Sequence, residues 1–396
     1  MYWRRIFAKL NGVINDEFDY IIAGGGMAGL SLAFYFDKSL LCDKKILIID
    51  RDPKQSNDHT WCFWEREKSA FEEIVFRRWK TLWFHGTRGF SKLLDTGDYE
   101  YKMIRAIDFY KFVFAKINKN PNIEFFRADI QTIENETVKT DQGEFIAAEF
   151  IFDSATRKNY DNPKYRNLRQ HFLGWTIETE KEVFNSDEPT FFDFRVEQKD
   201  ECRFIYILPF SSRKALIEFT VFSDNLLAQN EYEENLKKYI TEKLKIENYK
   251  ITEIERGIIP MSDEPHPQFP APKIIRIGTA GGYVKPSTGY SFARTQKKLQ
   301  KLVSDLENKT LEIQNPKSKI QNWKDYLDSV LLDVLRSKKH PADDVFTALF
   351  SKNETRQVLK FLDENTSVSE DLQIMRTVPL APFAAAALKT AFGKLK

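Results

Sequence analysis

One acidic side chain in a strongly apolar stretch is the residue of this chain best suited to acid chemistry. Glu218 is the single charge within Ala215–Phe222, a run typical of a β-strand. Alternation places three other residues on its strand face, namely Leu216, Thr220 and Phe222. If that face is solvated, Glu218 is an ordinary exposed carboxylate. If the face lines a cavity, burial raises the pKa of Glu218 and makes it a credible proton donor.

A second pair of titratable residues, Asp58 and His59, stands at a predicted loop-to-strand junction. The strand that follows carries Trp61 on one face and Trp64 on the other. Titratable groups beside bulky rings are typical of a functional site, but a loop acid next to a satisfied histidine explains the pattern equally well.

The first glycine-rich stretch has the spacing of a dinucleotide-binding turn. Gly24, Gly26 and Gly29 fit the pattern G-x-G-x-x-G between a strand run and a helical run. The first glycine permits a tight turn, the second lets the backbone approach a pyrophosphate, and the third lets the helix pack on the strand. Asp50 ends the next strand, where it can accept hydrogen bonds from a ribose. A turn without a ligand is the alternative, but this context favours a dinucleotide site.

Gly278, Gly281 and Gly289 belong to a second glycine-rich stretch, which follows a predicted strand and precedes a helix predicted near Tyr290. Backbone N–H groups at such a helix start can meet the ring end of a dinucleotide, with a plain turn as the alternative. Arg105, which precedes another predicted helix, is a further candidate cofactor-binding residue.

Composition excludes several classes of function. The chain of 396 residues has 60 basic and 58 acidic side chains, so its net charge of +2 indicates no nucleic-acid partner. The 3 cysteines and 5 histidines show no metal-ligand spacing, and the cysteines fit a reducing compartment. No apolar run is long enough for a spanning helix, and the N-terminal segment lacks the apolar core of a signal peptide. The 33 Phe, 15 Tyr and 7 Trp indicate a heavily aromatic core or a site for a large apolar ligand.

The elements that must position these residues follow from periodicity. A strand–helix unit, a β-excursion and a returning strand that ends at Asp153 are typical of half of a flavoprotein fold. From about residue 160 to 250 long strands replace helices, and the Ser211–Lys214 turn predicts a hairpin. Helical periodicity predicts helices over Asp108–Ile117, Glu231–Leu244, Gln321–Leu335 and Phe383–Lys396.

Several stretches together resemble the flavin-dependent lycopene β-cyclases of bacterial type. They are Asp58–Trp64, Gln170–Trp175, Phe204–Thr220 and Gly278–Phe292, and similarity near Phe361 and Asp371 extends the resemblance over nearly the whole chain. It implies an α/β fold of the hydroxybenzoate-hydroxylase type, with a Rossmann-like FAD-binding domain, an antiparallel β substrate domain and a C-terminal helical region. The expected boundaries are 1–17 for a flexible tail, 18–159 and 251–306 for FAD binding, 160–250 for the substrate-binding sheet and 307–396 for the helical region.

The activity that the resemblance implies is cyclisation of the ψ-ends of lycopene, through γ-carotene, to β-carotene. Members of this family need reduced FAD although the reaction consumes no electrons, and NAD(P)H is the expected reductant. The resemblance makes Glu218 the residue tied to catalysis, with Asp58 and His59 as further candidates. It assigns FAD to the two glycine-rich stretches together with Asp50 and Arg105.

The chain departs from the pattern of the family at two positions. Phe219 stands where relatives often carry a second acid, so Glu218 has no neighbouring carboxylate in sequence, which argues against a two-carboxylate mechanism. Thr279 stands where many flavoproteins carry Asp near the flavin ribityl chain, so a hydroxyl or a water is expected to make that contact.

A C40 polyene has negligible solubility in water, so we expect a cytoplasmic protein bound peripherally to the inner face of the cell membrane. The last predicted helix, with Leu388 and Phe392 apolar and Lys389 cationic, can lie in the membrane interface or dock on the protein. The alternatives in function are a FAD-dependent hydroxylase or polyene reductase of the same fold, and a non-enzymatic polyene-binding protein. The sequence leaves open the oligomeric state, the number of rings closed and the choice between β and ε rings.

Overall fold

The computed structural model of the chain describes residues 17–313 and 322–393. The predicted tail, apart from Glu17, lies outside these residues, as do the last three residues of the predicted final helix. The strands in the described ranges are β1 (Glu17–Ala23), β2 (Ile46–Asp50), β3 (Thr60–Glu65), β4 (Arg77–Trp79), β5 (Thr81–His85), β6 (Ser91–Asp95), β7 (Glu100–Arg105), β8 (Ile123–Arg127), β9 (Ile130–Glu134), β10 (Thr137–Thr140), β11 (Gly143–Asp153), β12 (Asn167–Glu178), β13 (Thr190–Asp193), β14 (Cys202–Ser211), β15 (Lys214–Ser223), β16 (Lys250–Ser262) and β17 (Ile274–Arg276). The helices are α1 (Met27–Asp37), α2 (Ala106–Ile117), α3 (Gln229–Lys238), α4 (Phe292–Glu307), α5 (Trp323–Ser337), α6 (Ala342–Lys352), α7 (Thr355–Leu362), α8 (Val368–Met375) and α9 (Leu380–Gly393).

A mixed sheet carries the first glycine-rich stretch. Its strand order is β8-β2-β1-β11-β10-β9, and β17 pairs with β11. The pairs β1–β2, β2–β8, β1–β11 and β11–β17 are parallel, whereas β9, β10 and β11 are antiparallel to one another. The strand that ends at Asp153 therefore returns to β1, as predicted. Buried runs such as Ile46–Ile49 are typical of a parallel sheet with both faces covered.

A second, largely antiparallel sheet carries Glu218. Its order is β16-β12-β15-β14-β13-β5-β6, and the predicted hairpin joins β14 to β15. The chain enters this sheet early, because β5 and β6 pair with each other and β5 lies beside β13. A small sheet of order β3-β7-β4 completes the strands. The expected domain boundaries stay a prediction.

The helices follow the predicted periodicity with two differences. The segment predicted as Glu231–Leu244 is α3 followed by a π-helical turn, Tyr239–Lys243. The final helix begins at Leu380, so Pro382 lies in its first turn, where proline is tolerated because those N–H groups have no intrahelical partner. None of the helices in the described part of the chain has the length and hydropathy of a membrane-spanning segment.

Candidate active site

The first glycine-rich turn has the geometry that its spacing predicts. Gly24 has a φ of +102°, and a side chain there would meet the Ser154 hydroxyl at 2.4 Å. A Cβ on Gly29 would lie 1.9 Å from the carbonyl oxygen of Gly24, so only glycine lets α1 pack this closely. Gly26 precedes α1, and a Cβ there would point into open space. That space lies at the helix N-terminus, where free N–H groups favour a phosphate.

The second glycine-rich stretch packs against the first helix and the antiparallel sheet. Gly278 has a φ of +59°, and a Cβ there would lie 2.7 Å from the Cβ of Ala28 in α1. Gly289 has a φ of +74°, and a Cβ there would lie 2.2 Å from Oε1 of Gln170 in β12. Gly281 differs from both, because a Cβ there would run into the carbonyl of Arg276 in its own loop. The stretch therefore spans the space between the two large sheets.

Asp50 and Arg105 each end a strand. Asp50 ends β2, and its Oδ2 accepts the Gly25 N–H at 2.7 Å. Arg105 ends β7 opposite Thr60 of β3, and its Nε donates to Asp108 at 2.7 Å. Asp50 therefore contacts the first glycine turn. Arg105 stands opposite Thr60, the residue after His59.

Glu218 lies on an inner strand and is half-buried. In β15 it stands opposite Gly174 of β12 and Tyr206 of β14, and its Oε1 accepts a hydrogen bond from the Thr220 hydroxyl at 2.8 Å. Burial raises the pKa of Glu218 to about 8, and the charge of Glu255 acts in the same direction. Of the two interpretations of the sequence, the structure therefore favours the one in which desolvation raises the pKa of Glu218.

Aromatic rings form the surroundings of Glu218. Tyr290 lies with its hydroxyl 3.3 Å from that of Tyr101 and 3.4 Å from that of Tyr206, the residue opposite Glu218. Trp64 makes an edge-to-face contact with Tyr290 at 4.6 Å between ring centroids. Because Tyr290 ends the second glycine-rich stretch, this stretch reaches the candidate acid.

An apolar cavity continues from these rings toward the C-terminal helices. It is partly open to solvent, and its lining is mostly apolar. Phe222, on the strand face of Glu218, and Tyr290 line one side, and residues of α5, α6 and the α8–α9 junction line the other. A cavity with this lining suits a large apolar ligand.

Asp58 and His59 are close to each other and to a carboxyl group that the sequence did not single out. His59 Nδ1 lies 3.1 Å from Asp58 Oδ2, and Asp58 Oδ1 accepts a hydrogen bond from Tyr110 at 2.9 Å. The hydrogen bond to Asp58 raises the pKa of His59. Next in the chain, the N–H of Thr60 donates to Glu255 Oε1 at 2.7 Å. Burial raises the pKa of Glu255, which lies in β16.

Sequence reasoning missed Glu255 because its significance depends on strand order. The available signal was a carboxylate within the segment Ile251–Pro260, but nothing local shows that this segment is a strand or which strand pairs with it. In the sheet, Glu255 stands opposite Gly174, which also stands opposite Glu218.

A buried ionic cluster holds the second glycine-rich stretch to the C-terminal helices. Lys285 Nζ contacts Asp328 of α5 at 2.9 Å and Glu364 at 2.8 Å, and the Ser287 hydroxyl donates to Asp328 at 2.6 Å. Burial acts to lower the pKa of Lys285, but these carboxylates outweigh it and the pKa is raised. The turn that leads to Tyr290 is thereby fixed between the cavity and the helices.

Comparison with known proteins gives a family and two plant relatives. The model of the family described as lycopene cyclase protein matches residues 19–388. A chloroplastic lycopene beta cyclase of Arabidopsis thaliana is 27% identical over 302 residues, which are 70% of this chain and 58% of that protein. A chloroplastic neoxanthin synthase of Solanum tuberosum is 25% identical over 303 residues, with the same two coverages. The chain thus spans less than two thirds of the length of these relatives.

Comparison of folds agrees with the expected architecture. The crystal structure of a flavoprotein/dehydrogenase from Cytophaga hutchinsonii is similar with a TM-score of 0.61 and 13% identity, over 96% of this chain and 100% of that one. At this identity the similarity concerns the fold alone. It confirms the predicted class, an α/β flavoprotein fold with an antiparallel sheet and a C-terminal helical region.

The raised pKa of Glu218 predicts a pH dependence of stability. Between the ordinary value of 4.5 and about 8, the folded protein keeps a proton on Glu218 that the unfolded chain releases. The free energy of unfolding therefore falls as pH rises through this window, by at most about 1.4 kcal/mol per pH unit. Glu218→Gln should lack this contribution, so the gap between variant and wild type in urea unfolding should change between pH 5 and pH 8.5. Glu253→Gln, at an exposed position of β16, is the control and should follow wild type. Parallel curves for Glu218→Gln and wild type would contradict the prediction.

Proposed function

The chain belongs to the lycopene cyclase family, and from this we propose that it is a FAD-dependent lycopene β-cyclase. It would close the ψ-ends of lycopene to β-rings, giving γ-carotene and then β-carotene. The observation that carries the proposal is Glu218, a carboxyl group whose pKa of about 8 keeps it protonated at neutral pH, on the strand face of Phe222, which lines an apolar cavity. A proton is the one reagent that this isomerisation needs.

The residues of the two glycine-rich stretches fit FAD. The open space at Gly26 suits the pyrophosphate, and the carboxylate of Asp50 suits the ribose. Two buried polar atoms, Thr288 Oγ1 and Gln170 Oε1, have no hydrogen-bond partner among the described residues, and each lies in or beside the second stretch. Reduced FAD, with NAD(P)H as its reductant, would supply a negatively charged ring that stabilises a cation. We assign Gly24, Gly29, Arg105, Gly278, Gly281 and Gly289 to the same site.

The chemistry of the chain's own residues then follows. Glu218 donates its proton to the terminal double bond of the polyene, and the tertiary cation that forms is attacked by the next double bond. The new cation, inside the ring, loses a proton to give the β-ring. The faces of Trp64, Tyr206 and Tyr290 stabilise positive charge by up to about 2 kcal/mol each where water is excluded. We propose Asp58 and His59, next to Glu255, as further members of this site.

The apolar cavity is the proposed place for the rest of the polyene. Its lining reaches Val378 and Phe383, on either side of Leu380. Leu380, Leu388 and Phe392 of α9 are 64%, 60% and 64% exposed. The opposite face of α9 docks on the protein, since Ala386 is buried and the hydroxyl of Tyr326 donates to the Ala387 carbonyl at 2.8 Å. One face of the helix therefore docks on the protein, while its apolar side chains at Leu380, Leu388 and Phe392 stay exposed. We propose that this exposed apolar face lies on the membrane surface from which the polyene is taken.

We expect Gly26→Val to abolish FAD binding. The backbone at Gly26 has a φ of −75°, which valine adopts without strain, so the variant should fold. Its side chain would fill the open space proposed for the pyrophosphate and weaken binding at least about 100-fold. Flavin absorbance of the purified protein and its thermal unfolding measure the two properties. A folded variant with the wild-type flavin content would show that the assignment is wrong.

We expect Glu218→Gln to lower the rate of cyclisation by about 10²–10⁴-fold, because it removes the titratable proton and keeps the size of the side chain. An anaerobic assay with lycopene and reduced FAD measures the rate, and the wild-type product should have the mass of lycopene. A rate within a few-fold of wild type would exclude Glu218 as the acid. A product heavier by one oxygen would indicate a hydroxylase, and one changed by two hydrogens a reductase.

We expect the double variant Leu388→Glu, Phe392→Glu to lose most of its binding to vesicles of phosphatidylethanolamine and phosphatidylglycerol, since charges on this face oppose insertion. Co-sedimentation measures the bound fraction. Leu226→Glu is the control, because Leu226 is also an exposed leucine, 49% accessible, outside α9. Equal binding by the double variant and wild type would exclude this face, and no binding by wild type would contradict the membrane proposal.

A further inference from the structure

Two glutamates lie on either side of Gly174, on one face of the antiparallel sheet. Glu218 of β15 and Glu255 of β16 both stand opposite Gly174 of β12, from its two sides. Directly paired residues point to the same face of a sheet, and two strand spacings separate the Cα atoms of the two acids by about 9.5 Å. Gly174 has no side chain to come between them: a Cβ there would lie 3.6 Å from Cβ and Cγ of Glu218 and 2.9 Å from Leu216. The two acid side chains therefore border the space above Gly174.

The two groups have different hydrogen-bond partners. Glu255 accepts the backbone N–H of Thr60 at 2.7 Å, and His59 and Asp58 directly precede that residue. Glu218 accepts the hydroxyl of Thr220. A backbone N–H and a nearby imidazolium stabilise an anion, whereas a hydroxyl in an apolar site does so less. Burial raises the pKa of both acids, but the anion of Glu255 has more stabilising partners than that of Glu218, so Glu255 is the acid that loses its proton first.

Few other titratable groups face this pair. Those that interact with Glu218 or Glu255 from neighbouring elements are the hydroxyls of Tyr206 and Tyr290, the thiol of Cys62, His59 and Asp58. The tyrosines and the cysteine are neutral at physiological pH, since burial raises the pKa of each. Among the groups that act on Glu218 in the described residues, Glu255 is therefore the one that can carry a charge.

We propose that Glu255 is a positioning residue of this site, whose negative charge across Gly174 keeps the proton on Glu218. The inference rests on the proposed function and adds a second carboxyl group to it. When Glu218 has given its proton to the double bond, the pair carries two negative charges, which favours return of a proton. Ring closure releases one proton from the ring cation to the pair, so the pair holds one proton before and after each cyclisation and no electrons are exchanged.

The test is the titration of Glu218 in three proteins that carry ¹³C-labelled glutamate carboxyls. Difference infrared spectra against Glu218→Gln identify its carbonyl band. We expect the midpoint for Glu218 to fall by about one pH unit or more in Glu255→Gln, because the like charge is gone. It should stay unchanged in Glu253→Gln, the matched control: Glu253 lies on the same strand face but stands opposite Thr176, whose other partner is Leu216 rather than an acid. The alkaline limb of the cyclisation rate should move by the same amount in Glu255→Gln, and Glu255→Asp, which keeps the charge, should restore most of the shift.

Other charge-removing variants provide a second measurement if Glu255→Gln does not fold. Glu255→Asn and Glu255→Thr remove the same charge, so the midpoint of Glu218 should fall in whichever of them folds. An unmoved Glu218 midpoint in a folded variant without the charge overturns the proposal, as does an equal shift in Glu253→Gln. These results do not depend on activity: a Glu218→Gln variant that still cyclises lycopene would overturn the proposed function, while the titrations would still decide the coupling.

Discussion

The free-energy cost of ionising a carboxyl group away from water is the constraint on which this site depends. The groups that act on Glu218 within the described residues are a hydroxyl and another carboxyl, with no lysine or arginine among them. Desolvation is therefore uncompensated, and the neutral acid is the stable form. An inner strand maintains this state, because β15 is hydrogen-bonded on both sides, to β12 and β14, and cannot move its side chains into solvent without breaking the sheet.

The same fold buries charge in the opposite way at Lys285. Lys285 is surrounded by Asp328, Glu364 and the hydroxyl of Ser287, so that its charge is matched and its hydrogen bonds are made. Removing one partner of such a cluster is far more costly than removing an exposed pair. The cluster therefore fixes the turn before Tyr290 to α5. It thereby holds an aromatic wall, the rings of Trp64, Tyr101 and Tyr290, near Glu218. Glu218 is thus left without a cationic partner, whereas the carboxylates matched by Lys285 hold its surroundings in place.

Local patterns predicted the parts of the site that local geometry decides. The glycine spacing predicted a turn in which Gly24 and Gly29 admit no side chain and Gly26 leaves space. Period-two alternation predicted the face shared by Glu218 and Phe222, and the hairpin that carries them. Alternation could not predict which segments of the chain pack on that face. The aromatic wall comes from β3, β7 and the loop before α4, and only the tertiary fold brings these segments to β15.

Strand order decides the part of the site that no sequence pattern contains. A second acid next to Glu218 in sequence would point to the opposite face of β15, because side chains alternate along a strand. A carboxyl group that acts on Glu218 must therefore come from elsewhere on the same face of the sheet or from an element packed on that face. Here it comes from β16, one strand beyond β12, and an irregularity between Thr176 and Ile177 sets the register of the last residues of that pairing without disturbing Gly174. The absence of a neighbouring acid at Phe219 is thus no argument against a pair of carboxyl groups, because in a β-sheet the neighbour that matters is across the strands.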